Sequence, residues 1–214
     1  MAINTIKSTT PAASIRRPTQ DRGRKKFEAA LDAAERLLEN MEPADMSIYD
    51  IAKALEASPP SVYHFFPEVS LVFVALAERY LTQLQSVSLD VDEPVATWAD
   101  LLDLLFERIR GILNKRTPVR KVLLGSGYSP EVRQRDLAGY AIFAKDILDA
   151  LNRHFELPNV PQLADRIEEV LAINDAMWML SFYRHRAIDD EGARRARNAY
   201  LRLYIPEILP RRTP

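Results

Sequence analysis

Between Ser58 and Pro67 the chain reads SPPSVYHFFP, in which hydroxyl, phenol and imidazole groups alternate with bulky apolar residues. Such polar groups at helical spacing can hydrogen-bond to base edges or phosphates, whereas proline offers only apolar contact, for example to a thymine methyl. If Val62, Phe65 and Phe66 are buried, then Pro59, Pro60, Ser61, Tyr63 and His64 face outward. Bond-making chemistry is poorly served. The chain has no cysteine, which removes disulfides, thiolate metal sites and a cysteine nucleophile together. Its three histidines are scattered at 64, 154 and 185. Gly125-Ser126-Gly127 lacks the Lys-Ser/Thr and the preceding strand of a phosphate loop, and no Glu-x-x-His pair exists for a di-iron bundle. No catalytic residue, metal or cofactor is expected. His64 reads either as a nucleic-acid contact or as a packed surface histidine.

The elements that would hold these groups are two short helices. Ser47 can cap the first, with Asp50 three residues on as the reciprocal partner of a capping box. Ile48, Ile51, Ala52 and Leu55 then share one face. Ser58 is a second cap, followed by Pro59 at the first helical position, where a missing N–H costs nothing. The second helix stops at Pro67. At about eight residues it is roughly 12 Å long, against a major groove roughly 12 Å wide. The segment reads as a helix-turn-helix that enters DNA.

Charge is arranged to suit this. The net charge is only −1, but residues 1–26 carry seven basic side chains and one acid, while residues 27–90 carry three and eleven. Arg24, Lys25 and Lys26 are therefore candidates for phosphate contact, and this arm must supply most of the electrostatic affinity. The other reading of such an arm is a solvated, disordered tail. No apolar run approaches the roughly 18 residues of a membrane span, and the N-terminus has no apolar signal region. The expected address is the cytoplasm, with no membrane partner.

Helical periodicity continues to the end of the chain, with 14 prolines mostly between the patterns. Residues 1–20 read as a disordered basic arm. Residues 21–90 read as the helix-turn-helix domain and 91–214 as a larger helical domain, the acidic SLDVDEP segment separating them. The fold class is all-α, with about nine helices: 24–40, the two of the motif, 69–86, 95–115, 118–124, 130–155, 162–187 and 190–204. Expected core stripes include Leu137, Ala141, Ala144, Leu148, Leu151 and Phe155 on the seventh helix. No run alternates as a strand does.

From Phe27 to Val72 the chain resembles the DNA-binding domain of the tetracycline-repressor (TetR) family. The matching residues are Phe27 and Ala30, then Ser47, Asp50, Ile51 and Ala52, then Ser58, Ser61, Val62, Tyr63, His64, Phe65, Phe66 and Pro67. Glu56 stands where the family usually has glycine, Val69 where it often has lysine, and Pro60 where it has a small or polar residue. A residue at 56 is expected to need a left-handed backbone, which costs a non-glycine roughly 1 kcal/mol or more. The resemblance implies that Ser61, Tyr63 and His64 face DNA. The full candidate set is Arg24, Lys25, Lys26, Ser47, Tyr49, Ser58, Pro59, Pro60, Ser61, Tyr63 and His64.

The resemblance further implies a homodimer through the last two helices, a palindromic double-stranded operator, repression, and release by a small-molecule effector held in the C-terminal domain. Ala193, Ala196 and Ala199 on the ninth helix would let a partner helix approach closely; the same stripe could instead pack within the chain. The candidate ligand-facing residues are Phe106, Ile109, Tyr128, Phe143, Ile147, Asn174, Asp175 and Trp178. Asn174 and Asp175 lie beside an apolar stripe and must be satisfied, either by a ligand or across a subunit interface. The competing class is a helical protein-interaction adaptor without DNA binding, which would be indifferent to neutralising the basic arm.

Overall fold

The computed structural model of the chain describes residues 14–92, 95–127 and 129–212. Among these residues there are nine α-helices, one 3-10 turn and no strand. The helices are α1 (Asp21–Leu38), α2 (Ile48–Ala54), α3 (Pro59–Tyr63), α4 (Val69–Gln85), α5 (Trp98–Lys115), α6 (Thr117–Leu123), α7 (Pro130–His154), α8 (Leu163–His185) and α9 (Glu191–Leu201). Each begins or ends within about three residues of its expected position. The larger shifts have local causes. α5 starts at Trp98 because Thr97 closes a capping box: its Oγ1 accepts from the Asp100 N–H at 3.2 Å, and Asp100 Oδ2 accepts from the Thr97 N–H at 2.9 Å. α8 stops at His185 because Arg186 turns left-handed, with φ of 57°.

The head, α1 to α4, is held by aromatic stacking beneath the short third helix. α1 buries Phe27, Ala30, Leu31, Ala34 and Leu38. The Phe27 ring lies 4.8 Å from that of Phe66 and 5.8 Å from that of Phe65. Each such side chain contributes about 1.5–3 kcal/mol by burial. On the outer side Arg79 of α4 spans two turns of α1, meeting Glu28 at 2.6 Å and Asp32 at 2.7 Å.

The second body is α5 to α9. α7 packs against both α4 and α8, which shifts the expected stripe: Ala144, Leu151 and Phe155 are buried as expected and Leu148 is half-buried. Leu137 and Ala141 are exposed; the buried residues are Val132, Gly139, Tyr140, Ala144, Ile147, Ala150 and Leu151. A helix covered on two sides has more than one apolar line, and periodicity does not say which faces inward. α9 is corrected in the same way. Ala193 is buried with Arg197 and Leu201, one inward line at fourth-residue spacing, and of the three alanines only Ala199 is exposed.

α6 joins the two bodies. Lys121, nearly buried, donates from Nζ to the carbonyls of Leu38 at 2.9 Å and Met41 at 3.1 Å, the free end of α1. The following loop folds back so tightly that the Gly127 N–H donates to the Lys121 carbonyl at 3.0 Å. A Cβ on Gly125 would lie 2.9 Å from that same oxygen, so the glycines serve this close approach. The last described residues strap the far end: Trp98 Nε1 donates to the Pro206 carbonyl at 2.9 Å, and the Glu156 N–H to that of Pro210 at 2.8 Å.

Candidate functional site

The turn between α2 and α3 sets how the reading helix is presented. Ser47 caps α2 as expected: its N–H and Oγ donate to Asp50 Oδ2 at 2.9 and 2.6 Å, and its Oγ accepts the Asp50 N–H at 3.4 Å. These bonds hold the Asp50 carboxyl below its ordinary value, chiefly through the Ser47 hydroxyl. The Ser47 hydroxyl is thus engaged within its own helix. Glu56 adopts the anticipated left-handed conformation, with φ of 52°. Ser58 occupies the N-cap position of α3 but makes no side-chain cap, a correction to the expected role. Instead its carbonyl accepts from Ser61 Oγ at 2.6 Å.

α3 itself spans five residues rather than eight, Pro59–Tyr63: it starts at Pro59 as expected and ends sooner. A further turn continues it, His64 donating to the Pro60 carbonyl at 3.0 Å and Phe66 to that of Val62 at 2.9 Å. Val62, Phe65 and Phe66 are buried beneath; Pro60, Tyr63 and His64 are exposed and Pro59 and Ser61 half-exposed. Tyr49, 63% exposed on α2, meets Tyr63 edge-on with ring centroids 6.1 Å apart. The outward side of both helices is therefore a single aromatic and hydroxyl surface.

The basic residues divide. Lys26 lines a groove with Ser61, Val62 and Phe65, so α1 brings an ammonium to the edge of the reading helix. Lys25 is exposed. Arg24 is paired with Asp21 and donates to the Thr19 carbonyl at 2.7 Å. Of the segment expected to be a disordered arm, residues 1–13 lie outside the described residues. Residues 14–20 rest against the head: the Arg16 N–H donates to the Phe65 carbonyl at 2.9 Å, and Arg17 lies over the Phe27 ring and pairs with Glu78.

In the second body a cavity of about 70 Å³ lies between α4, α5, α7 and α8. Phe106, Ile109, Phe143, Asn174, Asp175 and Trp178 line it, as anticipated. Ile147 is buried in the core of the second body and does not line the cavity. Tyr128 lies outside the described residues. Sequence reasoning missed Tyr140 and Asp136 on α7, which also line it; the error in the α7 stripe hid them. Asn174 and Asp175 also have partners within the chain, a solution the sequence reading did not weigh. Asp175 accepts from Tyr140 Oη at 2.5 Å, and Asn174 Oδ1 from Arg197 at 2.6 Å.

Arg197 was also missed. It is fully buried, lies 4.2 Å over the Phe106 ring, donates to both carboxylate oxygens of Asp190 at 2.9 Å and reaches Asp103 at 3.1 Å. Trp178 Nε1 donates to the same Asp190 at 2.6 Å. Burial raises the Asp103 carboxyl against the opposing pull of Arg197. The signal available in the sequence was an Asp at the start of α9 and an Arg seven residues on, two helical turns later and in line with Ala193.

Known proteins share this arrangement of a helix-turn-helix head on a helical body. No family model matches the chain. Over 81 residues it is 37% identical to the HTH-type transcriptional regulator EthR of Mycobacterium tuberculosis, a match covering 35% of this chain and only 38% of that protein. Among solved structures, a TetR-family transcriptional regulator from Streptomyces coelicolor superposes with a TM-score of 0.62 at 20% identity, over 84% of this chain and 99% of that one. SmeT, the repressor of the Stenotrophomonas maltophilia multidrug efflux pump SmeDEF, does so with a TM-score of 0.60 at 18% identity, over 84% and 90%. A SmeT–triclosan complex is similar as well, at 0.56 and 17%, over 85% and 92%. The fold is that of the helix-turn-helix regulators. It is shared with TetR-family regulators, and the stretch that matches EthR spans about a third of either chain.

Proposed function

We propose that this protein is a dimeric transcriptional repressor whose head binds a palindromic operator and is released by a small molecule held in the second body. The observation that carries the reading is the split character of α3: Val62, Phe65 and Phe66 seal the core while Tyr63 and His64 stay exposed, with Lys26 in the groove beside Ser61 at the edge of the helix. A surface with nothing to pack and both donors and acceptors to offer suits a groove. One such helix reads few bases. A symmetric pair about 34–36 Å apart reads two half-sites, and the exposed Ala176, Leu180 and Tyr183 of α8, with Ala199 of α9 and nearby Leu203, offer a face for pairing. Repression and effector release follow from likeness to SmeT, a repressor that also forms a complex with triclosan.

The test is recovery of genomic fragments by the purified protein, followed by titration of the enriched duplex across a salt series. Wild type is expected to bind with a log–log salt slope that falls by about one for each phosphate contact removed, as with Lys25→Ala and Lys26→Ala. Failure to enrich any sequence, with a slope indifferent to both substitutions, favours the adaptor reading instead.

A further inference from the structure

We propose that the cavity between α4, α5, α7 and α8 takes an organic cation, an amine whose ammonium sits at Asp136 and Asp175 and whose apolar body lies on Phe106, Phe143 and Trp178. This rests on the effector reading above and gives it a chemical class.

The argument begins from the lining. α4 contributes Leu81, Leu84 and Gln85, and α5 contributes Phe106, Ile109 and Leu113. None is charged. The charged side chains on the wall are two carboxyls, Asp136 from α7 and Asp175 from α8. Carboxylates facing an apolar space lose hydration and repel each other, so one of them tends to hold a proton. Burial, and next the Asp136 charge, push Asp175 up to about 7 despite the hydroxyl donated by Tyr140. An ammonium at this place does the proton's work with full charge, and an anion meets repulsion from both groups.

Asn174 supplies a separate observation. Only 1% exposed, it lines the cavity, and while its Oδ1 is held by Arg197, its Nδ2 turns toward the Asp175 carboxyl without closing a full hydrogen bond. Such a buried donor is costly to leave unmet. The ligand that answers it carries an acceptor, a hydroxyl, ether or carbonyl, within reach of its amine. The geometry thus selects amino alcohols and their relatives with an aromatic or branched apolar end. At about 70 Å³ the space is smaller than the roughly 150 Å³ that admits benzene. Half-buried Phe143 and Leu81 are the wall side chains that must give way.

The groups facing Asp175 are Asp136 and Tyr140 on α7 and, on its own helix, Asn174 with Arg197 of α9 behind it. Amine binding to the ionised pair expels the shared proton, so affinity rises with pH up to about 7 and then levels.

The test is calorimetric titration of the full chain with four probes of one size: 2-amino-1-phenylethanol, 2-phenylethylammonium, 2-phenylethanol and phenylacetate. The two amines are expected to bind tighter than the neutral and anionic probes by roughly tenfold or more, the amino alcohol ahead. Titrations in two buffers of different ionisation enthalpy are expected to show proton release below pH 7. Asp175→Asn should lose the preference for charge while circular dichroism stays unchanged, and Phe143→Ala, which enlarges the space, should keep it. Equal or tighter binding of phenylethanol or phenylacetate overturns the inference. So does silence from both amines with wild type and Phe143→Ala, or an undiminished preference in Asp175→Asn. Parallel DNA titration separates the two claims: DNA binding without amine binding sinks the amine site alone, and amine binding without DNA binding sinks the regulator reading alone.

Discussion

Tyr63 and His64 contribute to no core, so their removal should leave the fold intact and strip the surface of its donors. Tyr63→Ala and His64→Ala are each expected to weaken operator binding about tenfold or more, ~1.4 kcal/mol, with an unchanged thermal midpoint. Fluorescence anisotropy beside differential scanning measures both; normal affinity in the two variants removes them from the contact set. Asp175 gives a second prediction at this scale. Its folded value, about 7, lies above the ordinary 3.8, so the unfolded chain gives up that proton first. Stability therefore falls as pH rises between those values and is unaffected by this group outside them. Asp175→Asn should flatten that slope in urea titrations across the range, and an unaltered slope assigns it to other groups.

At the scale of elements, local signals were legible and choices between faces were not. The Ser47–Asp50 capping box and the buried Val62–Phe65–Phe66 triplet were readable from residue types and spacing, whereas the left-handed Glu56 was implied only by the family resemblance. The inward lines of α7 and α9 depend on which other helices cover them. Leu137 and Ala141 belong to one apolar line of α7 and Tyr140 and Ile147 to another; only packing against α4 and α8 decides. On α7 the same ambiguity left Phe143 correctly placed at the cavity wall, Ile147 wrongly placed there, and Asp136 and Tyr140 unnoticed. Ser58 shows the opposite limit: a residue of the right type at the right place leaves α3 uncapped while its carbonyl serves Ser61. Glu56 provides the test here. At φ of 52° a side chain costs roughly 1 kcal/mol that glycine avoids. Glu56→Gly is expected to raise the thermal midpoint by about 2–4 °C, and a lower midpoint means that the glutamate makes compensating contacts.

At the scale of the whole molecule, the two bodies meet where α4 packs on α7 and through α6, and the proposed pairing face lies on the far helices. Leu180→Glu and Tyr183→Glu place charges on exposed positions of α8, where a single chain tolerates them and a buried interface does not. Sedimentation is expected to show monomers, with operator affinity lost although each head remains folded. Dimers that persist move the interface elsewhere. The guanidinium of Arg197 joins these matters in one place: it grips Asn174 at the cavity wall, Asp190 in the turn before α9 and Asp103 on α5. In the proposed dimer, anything that reorients that amide also resets the seating of a helix at the pairing face, and by reciprocity subunit exchange answers to occupancy. An induction curve recorded at dilute protein should then be displaced from one recorded at high protein, even with the same compound and the same promoter.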